Sequence, residues 1–356
     1  MDNQIIDLAK KLIEIRSETQ NKKELERAIS LCEKELAGFT LEKFDKNGFP
    51  SLLAYTTNKR PQEFKIILNA HLDVVPAQDT QYNPQIKGTK MYGRGTMDMK
   101  AAAAAQILLF KNLAKKVNYP LGLQLVTDEE TGGFNGTKYQ IEQGARAEFV
   151  IAGEPTDFGI NNQAKGIMWI KISSIGKAAH AAYPWNGENA IQKINEFLTK
   201  LLQLYPVPEK ESWQTTINIS KISSDNDATN KVPDDCTVTL DIRFIPEDQD
   251  RVLIDIKSLL PKNAEIKTLT QESVHDTKST NPYIKILGSS IQSVTKTMPQ
   301  IIQKHGGSDV RFYNESGMDG VTFGPVGQGL HSDDEWVDTK SLTSFYKTLE
   351  NFLLSL

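Results

Sequence analysis

The sequence predicts a doubly wound α/β domain on a mostly parallel sheet, interrupted by a smaller α+β domain. Three observations lead there. Short apolar runs alternate with helical patterns through the first half of the chain. Three of those runs end in histidine or acidic residues, as strands do when a ligand site forms at a sheet's C-terminal edge. From about residue 167 the order becomes strand, helix, strand, strand, helix, strand, which is that of a ferredoxin-like unit.

Taken in order, Ile5, Leu8 and Leu12 with Ile6 and Ile13 repeat at helical spacing. Leu25, Ala28, Leu31, Cys32 and Leu36 do the same in a second predicted helix. Strands are expected over 40–44 and 51–55, with Asn47-Gly48 as the turn between them. Residues 66–70, Ile-Ile-Leu-Asn-Ala, suit a buried strand that delivers His71-Leu72-Asp73 at its end. A loop leads to Tyr92-Gly93-Arg94-Gly95, and Asp98 stands where the alanine-rich helix 99–113 opens. The strand 121–127 ends in Asp128-Glu129-Glu130-Thr131-Gly132-Gly133. After a helix over 137–143, the strand 149–152 ends in Gly153-Glu154-Pro155-Thr156.

The inserted domain carries strands over 167–175, 214–222, 236–244 and 265–269, with helices over 188–204 and 249–260. Cys236, Val238, Leu240, Ile242 and Phe244 alternate onto one face, the mark of a half-buried strand. The first domain then resumes with a helix over 283–294. Gly306-Gly307-Ser308-Asp309 turn into another helix, and a short strand covers 321–323. A glycine-rich loop over 324–329 presents His331, and a closing helix covers 342–353. The predicted domains are residues 1–166 with 277–356, and residues 167–276.

Composition narrows the function. The 356 residues suffice for two cores. Lys+Arg 41 against Asp+Glu 45 gives a net charge of −4 without a basic run, which argues against nucleic acid or an anionic membrane as partner. No stretch approaches the ~18 uninterrupted apolar residues of a membrane span. Met1-Asp2-Asn3-Gln4 lacks the basic start of a secretory signal. Cys32 and Cys236 lie far apart in apolar patterns and read as buried free thiols in a reducing compartment. A soluble cytoplasmic protein is expected.

The candidate site gathers His71, Asp73, Asp98, Glu129, Glu130, Glu154 and His331. Along an extended chain His71 and Asp73 point the same way, and a carboxylate beside an imidazole fixes the tautomer of a ligating histidine. Alone, a His-x-Asp is ordinarily a polar loop-end pair and a Glu-Glu a solvated strand end; their convergence carries the argument. Two imidazoles with several carboxylates suit Zn²⁺, Co²⁺ or Mn²⁺ better than Ca²⁺. Two neighbouring ions need a bridging carboxylate and leave another free as a base, a division Glu129 and Glu130 could share.

Four segments occur in this order: His71-Leu72-Asp73-Val74-Val75-Pro76, Gly93-Arg94-Gly95-Thr96-Met97-Asp98-Met99-Lys100, Asp128-Glu129-Glu130, and Gly153-Glu154-Pro155-Thr156. With His331-Ser332-Asp333-Asp334-Glu335 they resemble a dinuclear zinc amidohydrolase and exopeptidase family. Its members include acetylornithine deacetylase, succinyl-diaminopimelate desuccinylase, aminoacylase and glutamate carboxypeptidase. The resemblance spans essentially the whole chain and implies a zinc-exopeptidase-like fold whose inserted domain pairs in a homodimer. It implies that His71 and Glu154 hold one metal, Glu130 and His331 the other, and Asp98 bridges them. Asp73 would orient His71, and Glu129 would be general base and acid. His180, in Gly176-Lys177-Ala178-Ala179-His180-Ala181, would polarise the scissile carbonyl. Asn230, Arg243 and Gly324 match positions that contact substrate. The implied substrate is an N-acyl amino acid or a short peptide with a free carboxylate. Dipeptidase or carboxypeptidase action is the alternative. A non-catalytic binding module is disfavoured because each ligand position and Glu129 are present. Ala164-Lys165-Gly166 replaces the arginine pair that precedes glycine in the desuccinylase. Gly307 stands for its threonine and Gly327 for its asparagine, which puts desuccinylase specificity in question.

Overall fold

The structure, a computed structural model, describes residues 2–356. Two compact units emerge. One comprises the segment up to Gln163 with Asp276–Ile302 and Ser308–Leu356; the other comprises Ala164–His275 with Gln303–Gly307.

In the first unit the sheet runs, side by side, Thr40–Lys46, Phe49–Tyr55, Leu121–Val126, Phe64–His71, Ala147–Ala152, Asp319–Thr322, Ile160–Ala164 and His275–Asp276. Phe64–His71 pairs in parallel with Leu121–Val126 on one side and Ala147–Ala152 on the other. Asp319–Thr322 extends the parallel set, and the hairpin Thr40–Lys46/Phe49–Tyr55 closes one flank antiparallel. The chain thus leaves Phe64–His71 to one side and returns on its other side. Such a reversal opens a crevice beyond the C-terminal strand ends.

Alternation along the strands builds two cores. Ile66, Leu68 and Ala70 face helices Asp2–Ile13, Lys100–Leu113 and Thr339–Leu354. Ile67 faces the opposite layer, with Ile141, Phe312 and Tyr313. Ala101 to Ala105 are all buried. Their small side chains let Lys100–Leu113 pack closely against Asp2–Ile13. Asn281 and Asp338 cap the helices that follow them, accepting from Tyr283 N–H and Ser341 N–H.

A second, small sheet joins Gln85–Lys87, Lys90–Tyr92, Trp336–Asp338 and Gly327–Gln328, all antiparallel. The sequence predicts loop before Tyr92 and over 324–329 and no element over Trp336–Asp338, so this sheet is new to the structure. Strands of two or three residues carry no periodicity to read.

The second unit forms a four-stranded antiparallel sheet in the order Thr216–Ser223, Asp235–Phe244, Gly166–Ile175, Glu265–Glu272. Helices Ala190–Leu204 and Val252–Leu259 supply Ile194, Phe197, Leu201, Val252 and Ile256 to its core. Cys236, Val238, Leu240, Ile242 and Phe244 are buried, and the residues between them are not. This is the βαββαβ arrangement. Cys32 and Cys236 are both free and buried. Among the described residues no helix is long and apolar enough to cross a membrane.

Candidate metal centre

The parallel strands deliver the candidate residues to one edge. Phe64–His71 ends on His71, and Ala147–Ala152 runs out two residues before Glu154. Leu121–Val126 leads into Asp128, Glu129 and Glu130. His71 and Asp98 are buried, and the His331 side chain is 46% exposed.

Two clusters result, and they share a residue. His71, Asp98 and Glu154 offer ligand atoms all within 4.8 Å of one another, as do Asp98, Glu130 and His331. His71 Nε2 stands 3.0 Å from Asp98 Oδ1 and 3.8 Å from Glu154 Oε1. His331 Nε2 stands 3.2 Å from Asp98 Oδ2 and 3.1 Å from Glu130 Oε2. The two carboxylate oxygens of Asp98 therefore face different imidazoles, which is the disposition a bridging ligand requires.

Local hydrogen bonds fix these groups. His71 Nδ1 lies 3.0 Å from the main-chain oxygen of Asp73 and 3.5 Å from its Oδ1, leaving Nε2 turned to the cluster. Asp73 itself is fully buried. It accepts from Thr19 Oγ1 at 2.9 Å and from the N–H groups of Glu130 and Glu129 at 3.1 and 3.3 Å. It thus ties the histidine strand to the Glu129–Glu130 backbone, a link the sequence reading did not foresee. Glu335, 1% exposed, does the same for Asp98. It accepts from Met97 N–H at 2.8 Å, Asp98 N–H at 3.2 Å and Arg94 Nη1 at 2.5 Å. At Gly324 a Cβ would lie 2.3 Å from the Glu154 carbonyl oxygen, so only glycine permits this approach.

The electrostatics reveal a shortage of positive charge. Burial works against a charged His71, yet hydrogen bonds to Asp73 and Asp98 outweigh it and raise its pKa well above the usual value. Hydrogen bonds to Asp98 and Glu130 push His331 up to about 10. Burial would raise Asp98, but bonds from His331 and His71 prevail and hold its carboxyl well below the ordinary range. Glu129 has no such partner, so burial and then the charge of Glu154 drive its pKa well up. Five carboxylates, Asp73, Asp98, Glu129, Glu130 and Glu154, around two imidazoles form a site that cations complete, and the N/O donors fit first-row divalent ions.

The predicted residues of the inserted domain gather within the second unit. His180 and Asn230 lie on adjoining segments, where Ala181 N–H donates to Asn230 O at 2.8 Å and His180 bridges Lys231. His180 Nδ1 accepts from Ala182 N–H, and its ring packs against Tyr183. Arg243 pairs with Asp241 at 2.8 Å. It borders a cavity of about 300 Å³ with Lys165, Lys210 and His305.

A doubly wound sheet with paired carboxylate–imidazole clusters at its C-terminal edge places groups that could hold two metal ions where such folds form their ligand sites. Joined to the family match, this defines a metal-dependent amidohydrolase. The chain belongs to peptidase family M20/M25/M40, whose sequence profile matches residues 67–355. Curated relatives agree. Succinyl-diaminopimelate desuccinylase of Pelagibacter ubique is 29% identical over 345 residues, covering 88% of each chain. That of Hydrogenovibrio crunogenus is 28% identical, covering 99% of this chain and 100% of the relative. Among solved structures, an aminopeptidase of Bacillus cereus superposes with TM-score 0.80 at 18% identity, covering 99% and 98% of the two chains. A Bacillus subtilis protein described as a dinuclear metal-binding peptidase of family M20 does so at 0.75 and 12% identity, covering 99% and 97%.

Proposed function

We propose that this chain hydrolyses the amide bond of an N-acyl amino acid that carries a free carboxylate. The observation that carries the reading is the splitting of Asp98 between two clusters, with Glu129 beside them and outside both. In this assignment His71 and Glu154 hold one divalent ion and Glu130 and His331 the other, with Asp98 bridging. Zn²⁺ suits the donor set best, with Co²⁺ or Mn²⁺ as alternatives. Bound ions of this kind lower the pKa of a water from 15.7 towards ~7 and polarise a carbonyl.

The chain's own residues do the rest. Glu129 takes the proton of the attacking water and passes it to the leaving nitrogen. Asp73 keeps Nε2 of His71 turned inward. His180 donates to the developing oxyanion, the charge on which such reactions most depend. Arg243 and the loop from Gly324 to Gly329 suit the substrate carboxylate, and Asn230 is a further substrate contact. Lys165 supports an anion-receiving role for the Arg243 cavity. It is 3% exposed, lines that cavity over the Trp213 ring, and burial and then the Arg243 charge lower its pKa, so an anion there would be welcomed by both cations. The second unit would pair two chains as a homodimer, so that His180 and Asn230 serve the partner's site. The buried free thiols support a reducing, cytoplasmic setting.

The test is turnover of purified, metal-loaded protein on N-acetyl and N-succinyl amino acids, their methyl esters, and dipeptides. Hydrolysis of an N-acyl amino acid well above its methyl ester is expected. Equal kcat/KM for acid and ester removes carboxylate recognition, and turnover confined to dipeptides moves the enzyme to the peptidase branch.

A further inference from the structure

Glu129 and Glu130 sit in a single 3₁₀ turn, Glu129–Thr131, that runs on into a loop, and a general base must be held to within about 0.5 Å of its working position. The loop is poorly suited to this by itself. It turns through Gly132 and Gly133, both left-handed, at φ 106° and 67°. Asp73 secures its start through the Glu129 and Glu130 N–H groups. The turn is secured from elsewhere, by residues some 170 to 180 positions further along the chain.

Asp309 and Arg311 stand at the start of helix Val310–Glu315, 1% and 4% exposed. Arg311 Nη2 donates to the Gly132 carbonyl at 2.7 Å, while its Nη1 donates to Ser308 O at 2.8 Å. Asp309 Oδ2 accepts from Thr137 Oγ1 at 2.5 Å, just past the loop. Its Oδ1 lies so close to Gly133 that a Cβ there would come within 2.0 Å. The guanidinium thus pulls on the loop's carbonyl as the carboxylate fills the space beneath its turn. Neither residue belongs to a metal-ligand cluster among the described residues. Arg311 grips the loop through the Gly132 carbonyl and Asp309 grips Thr137, while the Asp309 charge, adding to burial, also raises the Glu129 and Asp128 carboxyls. A charged donor on a carbonyl is among the stronger anchors available.

We propose that Asp309 and Arg311 are positioning residues that clamp the 128–136 segment and so set where the Glu129 carboxylate stands. The proposal rests on the reading of Glu129 as the base. Arg311→Met removes both donors at nearly constant length, and Arg311→Lys restores a single charged donor.

The first measurement is independent of turnover. Hydrogen exchange in metal-free protein should quicken across 128–136 in Arg311→Met, stay unchanged in Phe64–His71, and recover in part in Arg311→Lys. In loaded enzyme, kcat should fall about 10- to 100-fold, as for a displacement of about 1 Å, while KM and bound metal hold. Added to Glu129→Gln, Arg311→Met should cost little more, because two changes acting through one group do not add. Asp309→Asn keeps the side-chain volume and is the second variant should Arg311→Met fail to fold. It should show the same confined exchange, which is its deciding readout because losing the Asp309 charge also acts on Glu129 directly. Unchanged exchange and kcat in the folded variants overturn the proposal. So does exchange rising evenly through the first unit, which is the mark of a merely structural role. If instead Glu129→Gln alone keeps full activity, the assignment of the base fails, while the exchange result still decides the clamp.

Discussion

Loading this site with metal should release protons, and the structure sets how many. In metal-free protein at pH 7, His331 with a pKa of about 10 is protonated. His71, raised well above its usual value, is too. Asp98 is already ionised and contributes nothing. An imidazole must be neutral to ligate, so filling both clusters displaces two protons from the histidines. Glu129 titrates as well, because added cations lower a carboxyl that burial and Glu154 have raised. The clean experiment therefore uses Glu129→Gln. Metal is titrated calorimetrically in several buffers of different protonation enthalpy, and the slope against that enthalpy counts protons. The expected release is about two per chain from the histidines for two ions, plus up to about one from a bound water as pH rises through ~7, with more from the native protein. The sign for pH follows. Below a histidine's pKa the proton competes with the ion, so affinity falls about tenfold per pH unit for each proton displaced. His331→Ala should bind one ion fewer and release one proton fewer. Release near zero in Glu129→Gln would mean neutral histidines and a different charge balance, and double occupancy in His331→Ala would remove it as a ligand.

Glu129→Gln should keep its metal and its fold but lose at least ~10²-fold in turnover, since an amide cannot shuttle the proton. If Glu130→Gln proves to be the metal-retaining, inactive variant, the two roles exchange. Glu335→Gln should weaken metal binding at both clusters together, because Asp98, whose N–H it holds, faces both; equilibrium dialysis showing normal affinity for both ions refutes this. Mixing Glu129→Gln with His180→Ala subunits under exchange should restore activity, with about half the dimers mixed at equal ratio. No recovery despite proven exchange assigns His180 to its own chain.

The site was legible where the chemistry is local. An apolar run ending in His71, or in Asp128-Glu129-Glu130, announces both the strand and what it carries. The alternation from Cys236 to Phe244 did as much for the second sheet. What escaped was long-range or polar. Glu335 reaches Met97 and Asp98 across 238 and 237 positions, and nothing in its neighbourhood signals that it accepts from two distant amide N–H donors. Ile160–Ala164 reads Ile-Asn-Asn-Gln-Ala, which has no apolar run. It is a buried strand only because Asn161 and Asn162 find Thr322 and Thr277 elsewhere. Arg311 holds a carbonyl, and carbonyls are present at every residue, so no sequence pattern marks the pairing.

The order of strands has a consequence for synthesis. Ala147–Ala152 lies between Phe64–His71 and Asp319–Thr322, yet its outer neighbour is made roughly 170 residues later. At translation rates of ~5–20 residues per second, that is a wait of about 10 to 35 s. Throughout it the nascent chain offers Phe149, Val150 and Ile151 on an unpaired edge, the arrangement most prone to pairing with another chain. The two clusters are staggered in the same way. His71, Asp98 and Glu154 have all been translated before the inserted unit begins, while the other cluster waits for His331. A ribosome stalled in the inserted unit would therefore hold a chain with the first cluster's side chains already made but without Glu335, which holds Asp98 in both clusters, so neither would be complete.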